Sequence, residues 1–81
     1  MTYYLLSAEN FATLQKVDLT ELDGHIRLHK TRNAVETDQI RSLLILLNEE
    51  ISLAGMTADQ QEVNAYGQSL YALYDELLSQ R

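Results

Sequence analysis

Residues 19–54 read LTELDGHIRLHKTRNAVETDQIRSLLILLNEEISLA, and whether this stretch is helical decides the fold. Leu19, Leu22, Ile26, His29, Asn33, Glu36, Ile40, Leu43, Leu47, Glu50 and Ala54 follow an unbroken three-four spacing, the repeat of one face of an α-helix. A single helix over this span would be roughly 54 Å long at 1.5 Å per residue. His29, Asn33 and Glu36 would then be polar layers of the kind that fix register in coiled coils. So short a chain cannot cover such a rod, and that reading implies a dimer. Three successive polar layers are costly to bury. A break near Thr31 to Asn33, with Asn33 and Glu36 capping a separate helix, is therefore preferred.

The distal part of the stretch carries the strongest signal. Ile40, Leu43, Leu44, Leu47, Ile51 and Ala54 form one stripe, with Ile45, Leu46 and Leu53 off it, so this helix is buried on more than one side or shows a second apolar face to a partner. Gly55 suits the left-handed position that ends a helix. Thr57 and Gln60 make a capping box for a last helix, in which Val63, Tyr66, Leu70, Leu73, Tyr74 and Leu77 share a side, flanked by Tyr71 and Leu78. Gly67 falls within that stripe. A glycine costs about 1 kcal/mol there relative to alanine, and a close helix–helix approach is its expected justification.

Towards the N-terminus, Ser7 caps a helix starting at Ala8, with Leu6 and Phe11 spaced as a hydrophobic staple. Asp18 and Glu21 form a further capping box, with Val17 and Leu22 as its staple. Thr2 to Leu6 reads as a strand or as an apolar lead-in to the first helix. A lone strand would need a partner, such as another copy, and the lead-in is preferred.

The expected fold is all-α. It is a small bundle of three to four helices, about 8–16, 19–31, 34–54 and 58–79, ending in an antiparallel helical hairpin across Gly55. The expected core is Phe11, Leu14, Leu22, Ile26, Ile40, Leu43, Leu44, Leu47, Ile51, Val63, Leu70, Leu73 and Leu77. Eighty-one residues suit a single domain, below the usual range of about 100–200 residues. The apolar faces of residues 40–54 and 63–78 exceed what two short leading helices can cover, which predicts a symmetric homodimer.

The net charge is −6, opposing non-specific attraction to nucleic acid or anionic lipid. The charge is unevenly spread. Residues 1–24 carry four carboxylates against Lys16, and residues 42–81 carry six against Arg81. Between them, Arg27, Lys30, Arg32 and Arg41 face only Glu36 and Asp38. No cysteine, export signal or membrane-length apolar run is present, and a cytoplasmic, soluble protein is expected.

Catalytic motifs are missing. His25 and His29 lie four apart, one helical face that Glu21 extends by a turn, a spacing able to offer zinc or nickel three ligands. Ile26 stands where the metalloprotease motif needs its glutamate. Basic neighbours also disfavour a cation, so no metal or other cofactor is expected. No serine sits in a glycine-flanked elbow. The neighbouring carboxylates Glu49–Glu50 and Asp75–Glu76 diverge on a helix, and three glycines make no phosphate loop. DNA binding through Arg27, Lys30, Arg32 and Arg41 would need helices 19–31 and 34–54 to act as a helix–turn–helix. The second of these is core material rather than a base-reading face.

The aromatic choice points elsewhere. Five tyrosines accompany one phenylalanine and no tryptophan; Tyr66, Tyr71 and Tyr74 crowd one helix while Tyr3 and Tyr4 lead the chain. Tyrosine serves where one edge is packed and the other wet, as at interfaces. Tyr66, Tyr71, Tyr74, Asp75 and Leu78 are accordingly the expected partner-binding residues, with an acidic rim suited to a basic partner. The short, acidic, cysteine-free helical format is similar to that of accessory proteins of phages and mobile elements, many of which inhibit host factors. That similarity of style, which no defined motif carries, implies an inhibitor or adaptor of another protein.

Overall fold

The computed structural model describes residues 1–56 and 62–80, and it overturns the all-α expectation with a mixed α/β fold. In chain order the elements are β1 (Thr2–Leu5), α1 (Ala8–Leu14), a single 3₁₀ turn (Thr20–Leu22), β2 (Ile26–His29), β3 (Ala34–Thr37), α2 (Ile40–Ala54) and α3 (Ala65–Leu78). The strands form one antiparallel sheet in the order β1-β3-β2.

The helix expected over 19–31 is absent for local reasons. Asp18 accepts hydrogen bonds from the Thr20 hydroxyl and, at 3.0 Å, the Thr20 N–H. It closes a short turn instead of opening a helix, and these bonds hold its carboxyl below the ordinary aspartate range. Gly24 then takes φ +84, a left-handed value that side chains with a Cβ avoid. Beyond it the apolar period is two. In the ladder Tyr4, Val35 and Leu28 stand side by side, as do Thr2, Thr37 and Ile26; these rows supply the core face. Tyr3, Glu36 and Arg27 form a row on the opposite face, with Leu5, Ala34 and His29 in the next. Such alternation is the mark of a strand.

Lys30 to Asn33 turn the β2–β3 hairpin. The Arg32 N–H donates to the His29 carbonyl at 3.1 Å, and Asn33 adopts φ 50, which asparagine tolerates better than most residues. Asn33 and Glu36 thus cap no helix. The Thr37 hydroxyl, buried, donates to the His25 carbonyl (2.6 Å) and accepts the Gln39 N–H (3.0 Å), so it is satisfied while leading β3 into α2. The lead-in preferred for residues 2–6 is likewise a strand, and its partner is β3 of the same chain.

The helical expectations fare better away from the hairpin. Ser7 caps α1, accepting the Asn10 N–H at 3.1 Å, and Leu6 and Phe11 are both buried. α1 stops at Leu14 rather than at residue 16. α2 starts at Ile40, not at residue 34. α3 starts at Ala65, with Asn64 as its cap; the Thr57–Gln60 capping box lies outside the described residues. Asn64 accepts the Gly67 N–H at 2.8 Å and donates from Nδ2 to the Ala54 and Met56 carbonyls, each at 3.1 Å. One side chain therefore caps the start of α3 and the end of α2.

Gly55 has φ −95, so the left-handed cap expected there is not formed. Its glycine has a steric cause: a Cβ would lie 2.8 Å from Gly67 Cα. The reciprocal Cβ on Gly67 would strike the Gly55 carbonyl oxygen, which already accepts the Asn64 N–H at 2.8 Å. The close approach expected at Gly67 is thus backbone against backbone.

Most of the expected core is buried, including Phe11, Leu14, Leu22, Leu43, Leu44, Leu47, Ile51, Leu70, Leu73 and Leu77. Ile26, Ile40 and Val63 are only half-buried. Tyr4, Leu6, Val17 and Val35 join the cluster, because the sheet supplies a face that a helical bundle lacks. Among the described residues, no helix is long and apolar enough to cross a membrane.

Candidate protein-interaction surfaces

The Asn64 cap and the glycine contact fix α3 against α2, and Leu70, Leu73 and Leu77 point fully into the core. Tyr71 and Leu78, seven positions apart and so on one face, remain 44% and 42% exposed. Asp75 lies between them and is exposed. Tyr66 and Tyr74 are half-buried against the core. Burial, and secondarily the Glu50 carboxylate, pushes the Tyr66 phenol above its ordinary value. The five residues expected to bind a partner therefore divide: Tyr71, Asp75 and Leu78 form an outer stripe, while Tyr66 and Tyr74 help to hold the helix in place.

Glu76 and Gln80 are spent on the fold. Glu76 Oε1 accepts the Ser7 N–H and an Asn10 Nδ2 proton, both at 2.9 Å. The Gln80 amide grips Leu5 from both sides, accepting its N–H (2.8 Å) and donating to its carbonyl (2.6 Å). A side chain at the far end of the chain thus imitates a neighbouring strand along the outer edge of β1.

The basic residues gather on and beside the β-hairpin. Arg27 is exposed on β2, Lys30 and Arg32 occupy the turn, and Arg41 lies in the first turn of α2. Each histidine meets a carboxylate: His25 Nδ1 lies 3.2 Å from Asp38 Oδ1 and His29 Nε2 3.1 Å from Glu36 Oε1. None of these four cations meets a described carboxylate. The helix–turn–helix expected of a DNA-binding reading is replaced by this hairpin.

A metal site does not assemble as the helical spacing suggested. His25 lies at the bend before β2 and His29 at its end, each with its own carboxylate, and no group of three or more histidine or carboxylate ligands occurs among the described residues. Glu21 and His25 do line one open cleft of about 310 Å³, together with Leu22, Gln39 and Ser42. The His25–Asp38 pair at its side is about half exposed, and the Ser42 hydroxyl donates to Gln39 Oε1 at 3.3 Å rather than to His25. The cleft is wet and its serine lacks a base. His29 is instead screened by the Tyr3 ring, with centroids 5.0 Å apart.

No protein-family model matches the chain, and no curated protein or solved structure is significantly similar to it.

Proposed function

We propose that the chain is a non-catalytic, cytoplasmic protein-binding module, an inhibitor or adaptor, that receives a basic partner surface on the outer stripe of α3. The observation that carries this reading is the exposure of Tyr71 and Leu78 on a helix that buries Leu70, Leu73 and Leu77 completely on its other side. Asp75 between them has no described ion-pair partner. Exposed apolar area is unfavourable by roughly 25 cal/mol per Å², and tyrosine is prominent among residues that dominate interface energy. A photo-crosslinking residue at position 78, used in the source cells, should yield a discrete adduct. The same residue at exposed Ala12 should not, and Asp75→Lys should abolish the adduct. Equal labelling at both positions would remove the reading.

Self-association is the second reading. It is favoured by Leu53, 86% exposed, with Ile45 also exposed on the α2 face turned from the core; the apolar excess noted in the sequence persists there. Sedimentation equilibrium at tens of micromolar separates the readings: a monomer without concentration dependence sinks the homodimer and leaves the α3 stripe untouched. DNA binding through Arg27 to Arg41 and a metal function at His25 and His29 receive less support, the first from net charge and the second from the separated pairs.

A further inference from the structure

The two edges of the sheet are not equivalent. The Leu6 N–H bonds the Asn33 carbonyl at 2.9 Å, so Asn33, Val35 and Thr37 direct their backbone groups at β1, while Ala34 and Glu36 direct theirs at β2. By the same alternation Arg27 and His29, opposite Glu36 and Ala34, bond β3. Ile26 and Leu28 must then direct N–H and C=O outward, away from the sheet. On the β1 edge Tyr3 and Leu5 are the outward residues, and Gln80 takes both groups of Leu5, blocking the end of that edge. On the β2 edge no hydrogen bond from a described residue reaches the outward groups of Ile26 or Leu28.

We infer that β2 accepts an extended, acidic segment of another protein as a fourth strand. An added strand satisfies the outward N–H and C=O groups together, which is the source of affinity in strand addition. Its side chains alternate between the two sheet faces. One set falls beside Arg27, with Lys30 and Arg32 near the turn, and the other beside half-buried Ile26 and Leu28. Glutamate or aspartate alternating with small apolar residues is the pattern that suits both. The three cations meet no described carboxylate, in a chain otherwise strongly negative.

A second copy fits worse. In the twofold register that joins Ile26 of one copy to Leu28 of the other, Arg27 faces its own equivalent, and like charges facing across strands are destabilising. Single-stranded nucleic acid would find the same cations, and the Tyr3–His29 pair offers rings for stacking. Its backbone has no run of N–H donors to match the Ile26 and Leu28 carbonyls, and the net charge of −6 opposes its approach.

This inference does not rest on the α3 stripe, and its test does not involve that helix. The probe is a short fluorescein-labelled peptide of alternating glutamate and valine, titrated against the isotope-labelled full chain. Amide exchange should slow specifically at Ile26 and Leu28 in the complex. Arg27→Glu should weaken binding roughly tenfold, the loss of one charge-assisted contact, and improve binding of the lysine–valine counterpart peptide. The same peptide N-methylated at alternate residues should not protect these amides, a control that leaves the protein unaltered. No protection at about millimolar peptide overturns the inference. So does protection that appears without peptide as protein concentration rises, which would place a second copy on the edge. Equal displacement of both peptides by oligothymidylate would assign the edge to nucleic acid and also overturn it.

Discussion

The pair α2–α3 and the hairpin β2–β3 are both built from consecutive elements, yet different physics holds each together. The helices meet through fully buried Leu43, Leu47, Leu70, Leu73 and Leu77 and through direct contact between Gly55 and Gly67, leaving little space for change. The hairpin relies on its backbone ladder, a satisfied threonine hydroxyl and two histidine–carboxylate pairs, of which His25–Asp38 is half exposed. Close packing makes the first region rigid and unforgiving. The second tolerates side-chain change because its stabilising bonds are mostly main-chain, and for the same reason it retains an edge able to bind.

The largest expected effect breaks the helix pair at its glycine contact. Gly67→Ala would gain about 1 kcal/mol from helix propensity alone. The new Cβ would strike the Gly55 carbonyl oxygen and lie 2.5 Å from Val63 Cγ1. Backbone cannot yield cheaply, so the net result should be a loss of about 3 kcal/mol, the upper end of overpacking costs. Gly24→Ala in the hairpin half meets nothing within 4 Å and should lose only roughly 1 kcal/mol, from its left-handed backbone. Urea melts of both variants rank the two costs, and a Gly67→Ala protein as stable as the parent would show that the helices do not approach this closely.

A smaller loss tests the bracket between the helices. Asn64→Ala removes the Gly67 N–H acceptor and both Nδ2 bonds to the end of α2. It should cost about 2 kcal/mol, the upper range for losing a helix cap. Asn64→Asp keeps the cap but cannot donate, so it should recover part of the loss. Equal stability of all three proteins would mean that solvent replaces these bonds without penalty.

The same contrast explains what could be read from the sequence. α1 announces itself through Ser7, α2 through a stripe running from Ile40 to Ala54, and the glycine contact through an otherwise costly Gly67. All are local and periodic. In the hairpin, the apolar period of two and the three-four spacing share Ile26, while Leu28 and Val35 lie off the helical stripe. Gly24 and Asn33, both at positive φ, are the residues that interrupt the helical pattern. β1 carries an ambiguous local signal, and the partner that makes it a strand, β3, is some thirty residues away in the chain. The outer stripe of α3 was legible from helical period alone. The open β2 edge was not, since it exists only once the hairpin does, and the capping of β1 at Leu5 depends on Gln80, 75 positions distant.

Within the hairpin, the two histidine pairs should contribute little and unequally. A double-mutant cycle on His29 and Glu36, which are partly buried, should give a coupling of about 0.5–1 kcal/mol, near the top of the range for such pairs. The cycle on His25 and Asp38, both half exposed, should give about 0.2 kcal/mol or less. A coupling above about 2 kcal/mol for either pair, beyond the range for exposed pairs, would mean that side chains and not the ladder hold the hairpin.

The smallest effect is invisible at neutral pH and belongs to the helix pair. The Tyr66 phenol is raised above its ordinary value, first by burial and then by the Glu50 carboxylate. The folded chain therefore keeps this proton to higher pH than the unfolded chain does. Its contribution is complete below the unfolded value, about 10 for tyrosine, and is lost as pH climbs through the raised folded value. Tyr66→Phe should unfold at nearly the parental urea concentration at pH 7 and lose stability less steeply above pH 10. Because burial is the larger cause, Glu50→Gln should flatten the alkaline decline only in part. Urea midpoints across this range, with phenolate absorbance followed in parallel, distinguish the two variants. If Tyr66→Phe retains the full parental slope, the alkaline sensitivity comes from another group, and the packing of Tyr66 against the α2–α3 core is looser than its burial implies.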